Sequence, residues 1–286
     1  MPLEVQNARI KPGATKTFEF ADTITQRMVG ISAFSLSFGN TDHHVQTASV
    51  SLYANHSGKS LSISPHAMMV DANGHDLDRE SSYVDVVALA WVGVNNPNVK
   101  LGNVAGIAND QSSSPIAVPG TAPNPLEAAL AGFSLSYGGT DHHMETASVS
   151  VGVTMLGNGA SVNGMAFMDD DSGNANVSGT VIAGVLANCD ATLRDFVHGI
   201  DSIQKENPLF SFGRAYKTVT ALMNGFKVQY NEQSAHHVKT FEVKLTAKNT
   251  VDNQVVVTGE ATLSDASGNK QSDKESYVSG FVVGSD

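Results

Sequence analysis

The chain is poor in most of the residues that announce chemistry. Its 286 residues include one cysteine, Cys189, so no disulfide framework can form within it. That thiol has no motif around it and reads as structural. Charged residues make up 16%, the net charge is −11, and no basic run occurs. Such a chain is poorly suited to nucleic acid or to an anionic bilayer. No apolar run approaches the roughly 18 residues of a membrane helix, so no transmembrane segment is expected. The first residues, Met1-Pro2-Leu3-Glu4-Val5, show neither a basic n-region nor an apolar h-region. The expected location is therefore cytoplasmic, or outside the cell without a classical signal. No Gly-x-Ser-x-Gly elbow and no phosphate-binding Gly-rich loop is present. The only tryptophan, Trp91, lies in the apolar run Val86 to Val94 and is expected in the core. No enzymatic activity and no cofactor are expected.

What is present is a threefold internal repeat. Phe34-Ser35-Leu36-Ser37-Phe38 leads into Thr41-Asp42-His43-His44 and then Thr47-Ala48-Ser49-Val50. The phrase returns at Phe133 to Tyr137, Thr140-Asp141-His142-His143 and Thr146 to Val149. A weaker copy runs from Phe226 to Tyr230 and on to His236-His237, with Ser234-Ala235 where the others have Thr-Asp. The unit is a little under one hundred residues, a domain-sized repeat rather than a solenoid repeat.

Period-two spacing recurs within each unit. Ile63, Ala67 and Met69 correspond to Val162, Ala166 and Met168, and to Val257, Ala261 and Leu263. Such spacing marks a half-buried strand. Each of these strands ends at an aspartate, Asp71, Asp170 or Asp265, with a glycine three residues on, which suits a tight turn. The pattern predicts an all-β chain of three tandem antiparallel β-sandwich domains. Repeat one is assigned to residues 1–95 and repeat three to 191–286. Repeat two is assigned to 126–190, after a linker or long loop at 96–125 that leaves room for its first strand. Helical periodicity is confined to Pro125 to Leu130 and Ala191 to Val197. The strands are rich in Ser and Ala and sparing in the Lys and Pro that usually protect edges, which suits edges paired within an assembly.

Adjacent strand residues face opposite ways, so the two histidines of a pair should meet different surroundings. Parity places His44, His143 and His237 on the core side as structural residues bonded to backbone groups. It leaves Asp42, His43, Asp141, His142 and His236 as the candidate ligand-binding residues of an exposed turn. A metal site would need Asp42 and His43 joined by His56 or His75. Those spacings match no standard zinc pattern, so no metal is expected. The acidic cluster Asp169, Asp170 and Asp171 reads as a solvated turn rather than a calcium site.

These features favour a non-enzymatic multivalent recognition protein, lectin-like or adhesin-like, whose partners are glycans or a cell-surface ligand. Repeating a weak site raises avidity through effective concentration. The alternative is a structural, self-assembling subunit of a fibre, sheath, shell or particle whose partners are copies of itself. Three similar units could also mimic a trimer by closing about a pseudo-threefold axis. A second alternative is a β-pore-forming toxin, since Ser49 to Tyr53 and Ser60 to Ser64 alternate polar and apolar residues.

Overall fold

The structure is a computed structural model that describes residues 2–157, 159–193, 196–231, 234–250 and 253–286. The all-β, antiparallel class read from the sequence holds. Repeat one supplies β1 (Leu3–Ile10), β2 (Lys16–Glu19), β3 (Ile24–Ser37), β4 (Thr47–Ser57), β5 (Ser60–Val70) and β6 (Tyr83–Val92). Next come β7 (Val99–Ala108), β8 (Gln111–Ser112), β9 (Ile116–Ala117), β10 (Leu126–Ser136), β11 (Thr146–Leu156), β12 (Gly159–Asp169) and β13 (Ser178–Asn188). Repeat three supplies β14 (Val197–Ile203), β15 (Leu209–Ser211), β16 (Thr218–Gln229), β17 (Thr240–Asn249), β18 (Gln254–Ser264) and β19 (Tyr277–Ser285). Residues 96–125 thus hold β7, which pairs along β13 as β1 pairs along β6.

The helical expectation fails at Pro125 to Leu130. Leu-Glu-Ala-Ala-Leu is a good helix former, but these residues open β10 and pair with Ala183 to Ala187 of β13. Cross-strand burial overrides local propensity here. In the other helix-like stretch, residues 194 and 195 lie outside the described residues, and Val197 opens β14.

Among the described residues three sheets form, in the orders β1-β6-β3-β17-β18-β15, β2-β5-β4-β10-β13-β7 and β14-β19-β16-β11-β12-β8. Each sheet joins half of one repeat to half of another. The junctions share one register, with Phe34 opposite Val243, Phe133 opposite Val50 and Phe226 opposite Val149. Repeat one therefore pairs with repeat three, two with one, and three with two. The connections close a ring about a pseudo-threefold axis, and one hydrophobic core runs through all three repeats.

The residues that repeat in sequence are those that build this ring. Ile63, Val162 and Val257 are fully buried, as are Met69, Met168 and Leu263. At the axis Phe34, Phe133 and Phe226 meet with centroids 5.1–5.5 Å apart. Phe241, which stands where the other repeats have Ala48 and Ala147, packs against all three. Burying each ring contributes about 1.5–3 kcal/mol. A bulge recurs in each inner strand, at Ile31/Ala33, Leu130/Gly132 and Met223/Gly225, where pairing to the next repeat begins. At Gly132 a Cβ would lie 2.7 Å from the Val50 carbonyl, closer than a side chain allows without a shift, whereas the equivalent position in repeat one carries Ala33.

Trp91 is buried and donates its indole N–H to the Val94 carbonyl. The alternation in β4 and β5 is that of one-sided strands, with Val50, Leu52, Leu61 and Ile63 buried. No helix among the described residues is long and apolar enough to cross a membrane.

Candidate functional site

The ring closes through the histidine turns. His43 is bridged to Val238, Val45 to His142, and Met144 to His236, each through a reciprocal pair of backbone hydrogen bonds of 2.8–3.1 Å. Each copy's turn is thereby stitched to both neighbours. Val45, Met144 and Val238 are fully buried beneath it.

The first histidine of each pair is held inside its own repeat. His43, His142 and His236 lie against Phe38, Tyr137 and Tyr230 with centroids 4.7–4.9 Å apart. Their Nε2 atoms sit 2.9–3.1 Å from the hydroxyls of Thr41, Thr140 and Ser234. Their Nδ1 atoms face the buried carboxylates of Asp71, Asp170 and Asp265 at 3.5, 3.1 and 3.7 Å. Those carboxylates also organise the following turns. Asp71 accepts from the N–H groups of Asn73 and His75, Asp170 from those of Ser172 and Asn174, and Asp265 from that of Asn269. Burial raises the pKa of each, but hydrogen bonds from His75, Asn174 and Asn269 outweigh it and hold all three below the usual value. Gly74, Gly173 and Gly268 close the turns at positive φ, 87–95°, which glycine adopts without strain.

The second histidines behave differently. His44, His143 and His237 converge from the three repeats, with ring centroids 4.4, 4.6 and 4.8 Å apart. His44 and His237 are 39% and 43% exposed, and His143 is exposed too. Among the described residues, none of these three rings donates or accepts a hydrogen bond. Burial first, then His44 and His237, hold the His143 imidazole below its ordinary pKa, against the opposing pull of Asp171.

These environments are the reverse of the parity expectation. His44, His143 and His237 are not on the core side bonded to backbone, and His43, His142 and His236 are the better-enclosed rings. The reason is local. β4 begins only at Thr47 and Gln46 lies in a bend, so the two-residue period does not extend back to the pair. Val45, not His44, takes the inward position.

Three carboxylates stand behind the axial rings. Asp141 Oδ1 is 3.4 Å from His44 Nδ1, and its Oδ2 accepts the Ala72 N–H at 3.0 Å. Asp42 Oδ1 is 3.7 Å from His237 Nδ1, and its Oδ2 accepts the Ala266 N–H at 2.9 Å. At the third junction the turn carries Ala235, and the acid comes from the opposite side. Asp171, which stands where the other repeats have Ala72 and Ala266, accepts the Ala235 N–H at 3.3 Å and acts on His143. The loss of one aspartate and the gain of another are two halves of one exchange. Asp171 was missed as a site residue. Comparing the Asp-Ala, Asp-Asp and Asp-Ala turns against the Thr-Asp, Thr-Asp and Ser-Ala turns would have revealed it.

The sequence-derived metal grouping is not assembled as written. Asp42 is turned to Ala266 and His237, and His56 accepts a hydrogen bond from Arg27. His75 does stack on His43, with centroids 4.1 Å apart, and both face Asp71. Its counterparts Asn174 and Asn269 make the same contact to Asp170 and Asp265 at 2.8 and 2.6 Å. His75 thus serves as a turn donor that asparagine replaces. Asp169, Asp170 and Asp171 do not converge, since Asp170 holds its own turn and Asp171 reaches Ala235. The Cys189 thiol donates to the Pro119 carbonyl. No family model, no curated protein and no solved structure matches the chain.

Proposed function

We propose that the chain is a non-enzymatic recognition protein, lectin-like or adhesin-like, that acts as a single-chain counterpart of a symmetric trimer. The observation that carries this reading is the axial ring of His44, His143 and His237 with Asp42, Asp141 and Asp171. The carboxylate is kept at all three junctions even where its source has changed. The array is also near-symmetric.

Self-assembly through sheet edges is less well supported. Asn103 on the outer strand β7 bonds both the N–H and the carbonyl of Val29, and the Gln26 amide bonds the Val99 carbonyl and the Leu101 N–H. These side chains occupy edges that stacking would need free.

A glycan array probed with the wild-type chain and with the triple variant Asp42→Ala, Asp141→Ala, Asp171→Ala tests the reading. Binding by the wild type and its loss in a variant with unchanged circular dichroism is expected. An array with no bound glycan, together with concentration-dependent particles in sedimentation velocity, would overturn it in favour of the assembly subunit.

A further inference from the structure

The axial histidines pose a problem that recognition alone does not solve. Three imidazoles from distant parts of the chain pack at 4.4–4.8 Å, two pairs edge to face and one tilted, yet they make no hydrogen bond to one another or to any described residue. The rings are partly open to solvent, and each presents a ring nitrogen toward the other two. Neutral imidazoles place three lone pairs around one point, which is a ligand set for a cation.

We propose that His44, His143 and His237 bind a single divalent transition-metal ion, of the zinc, nickel or cobalt type, on the pseudo-threefold axis. One ring nitrogen from each histidine lies within 4.8 Å of the other two. With metal–nitrogen bonds of about 2.0–2.1 Å, tetrahedral ligand nitrogens lie about 3.4 Å apart, within reach of small rotations of half-exposed rings. Imidazole nitrogen selects such ions over calcium or magnesium, which take oxygen ligands.

The surroundings are those a metal centre uses. Asp141 and Asp42 face the Nδ1 atoms of His44 and His237, which leaves Nε2 as the free nitrogen on each ring. A carboxylate that accepts the Nδ1–H of a ligand histidine fixes its tautomer and raises its basicity, a bond that the 3.4 and 3.7 Å separations allow once the rings turn toward an ion. Asp171 supplies the corresponding charge to His143 from the opposite side of its junction. Below the rings Val45, Met144 and Val238 are fully buried, while the rings themselves are open to solvent. Three protein ligands and one open side leave a position for an exogenous ligand. The group of His43, Asp71 and His75 lacks this logic, because asparagine replaces His75 in the other two repeats.

The proposal does not rest on the recognition reading. Its test is calorimetric titration of chelator-treated protein with zinc chloride, backed by cobalt absorption spectra. We expect one ion per chain and a tetrahedral cobalt spectrum. His143→Ala should weaken binding at least 100-fold, and His75→Asn should leave both stoichiometry and affinity unchanged. Asp171→Ala should weaken binding about 10-fold, in the range for an outer-shell carboxylate. Adding Ala235→Asp to it should restore affinity, a rescue that a purely structural role would not give. Circular dichroism confirms that each variant is folded. No binding by the wild type, undiminished binding by His143→Ala, or loss of binding in His75→Asn would each overturn the proposal.

Discussion

His43 and His44 are neighbours in sequence and opposites in structure. The first, like His142 and His236, is satisfied within its own repeat by a hydroxyl, a buried carboxylate and an aromatic face. The second, like His143 and His237, finds its surroundings only when the three repeats close, and even then lacks a hydrogen bond among the described residues. One ring is local architecture, and the other belongs to the whole molecule. Retention of both in copy three, where Thr-Asp has become Ser-Ala, therefore has two causes. The first histidine is held by its turn and the second by the axis.

The largest effect should come from breaking what both rings stand on. Phe226→Ala removes a buried ring that touches Phe34, Phe133 and Phe241, and should cost about 3–5 kcal/mol in urea unfolding. His142→Ala should cost about 1–3 kcal/mol, because it strips a partner from buried Asp170. His143→Ala, one residue on, should change stability by no more than about 0.5 kcal/mol, because that ring is exposed and makes no hydrogen bond among the described residues. Equal losses for the two variants would erase the distinction.

The comparison also has a pH signature. Asp71, Asp170 and Asp265 have folded pKa values below the unfolded value of about 3.9. Their contribution is then fully present above that value and is lost as pH falls through the folded values. Unfolding free energy should be level toward neutrality and fall in acid, and Asp265→Asn should flatten part of that slope. An unchanged slope would show that the first ring's anchor is not this carboxylate. The smallest effect is expected from Ala235→Asp alone. It adds a second acid beside Asp171 at an exposed junction, a like-charge contact that should cost only a few tenths of a kcal/mol.

Much of the framework was legible because burial follows a period of two. Ile63, Ala67 and Met69 and their counterparts sit where their spacing put them. β7 was harder to see, since its Gly102 and Gly106 lie in a stretch rich in turn residues. Leu126 to Leu130 carries helix-forming residues that pairing with β13 overrides. The axial site was the least legible part. Its parity is broken by the bend at Gln46, and its ligands come from three turns far apart in sequence. Only the Asp–Ala exchange between Ala235 and Asp171 records, in one chain, that those turns touch.

The most direct test of this account is a crystal structure of the zinc-loaded chain with anomalous data at the zinc edge. The account predicts one anomalous peak on the pseudo-threefold axis, about 2.0–2.1 Å from a ring nitrogen of each of His44, His143 and His237. A peak between His43 and His75, or an empty axis with the three rings apart, would contradict it.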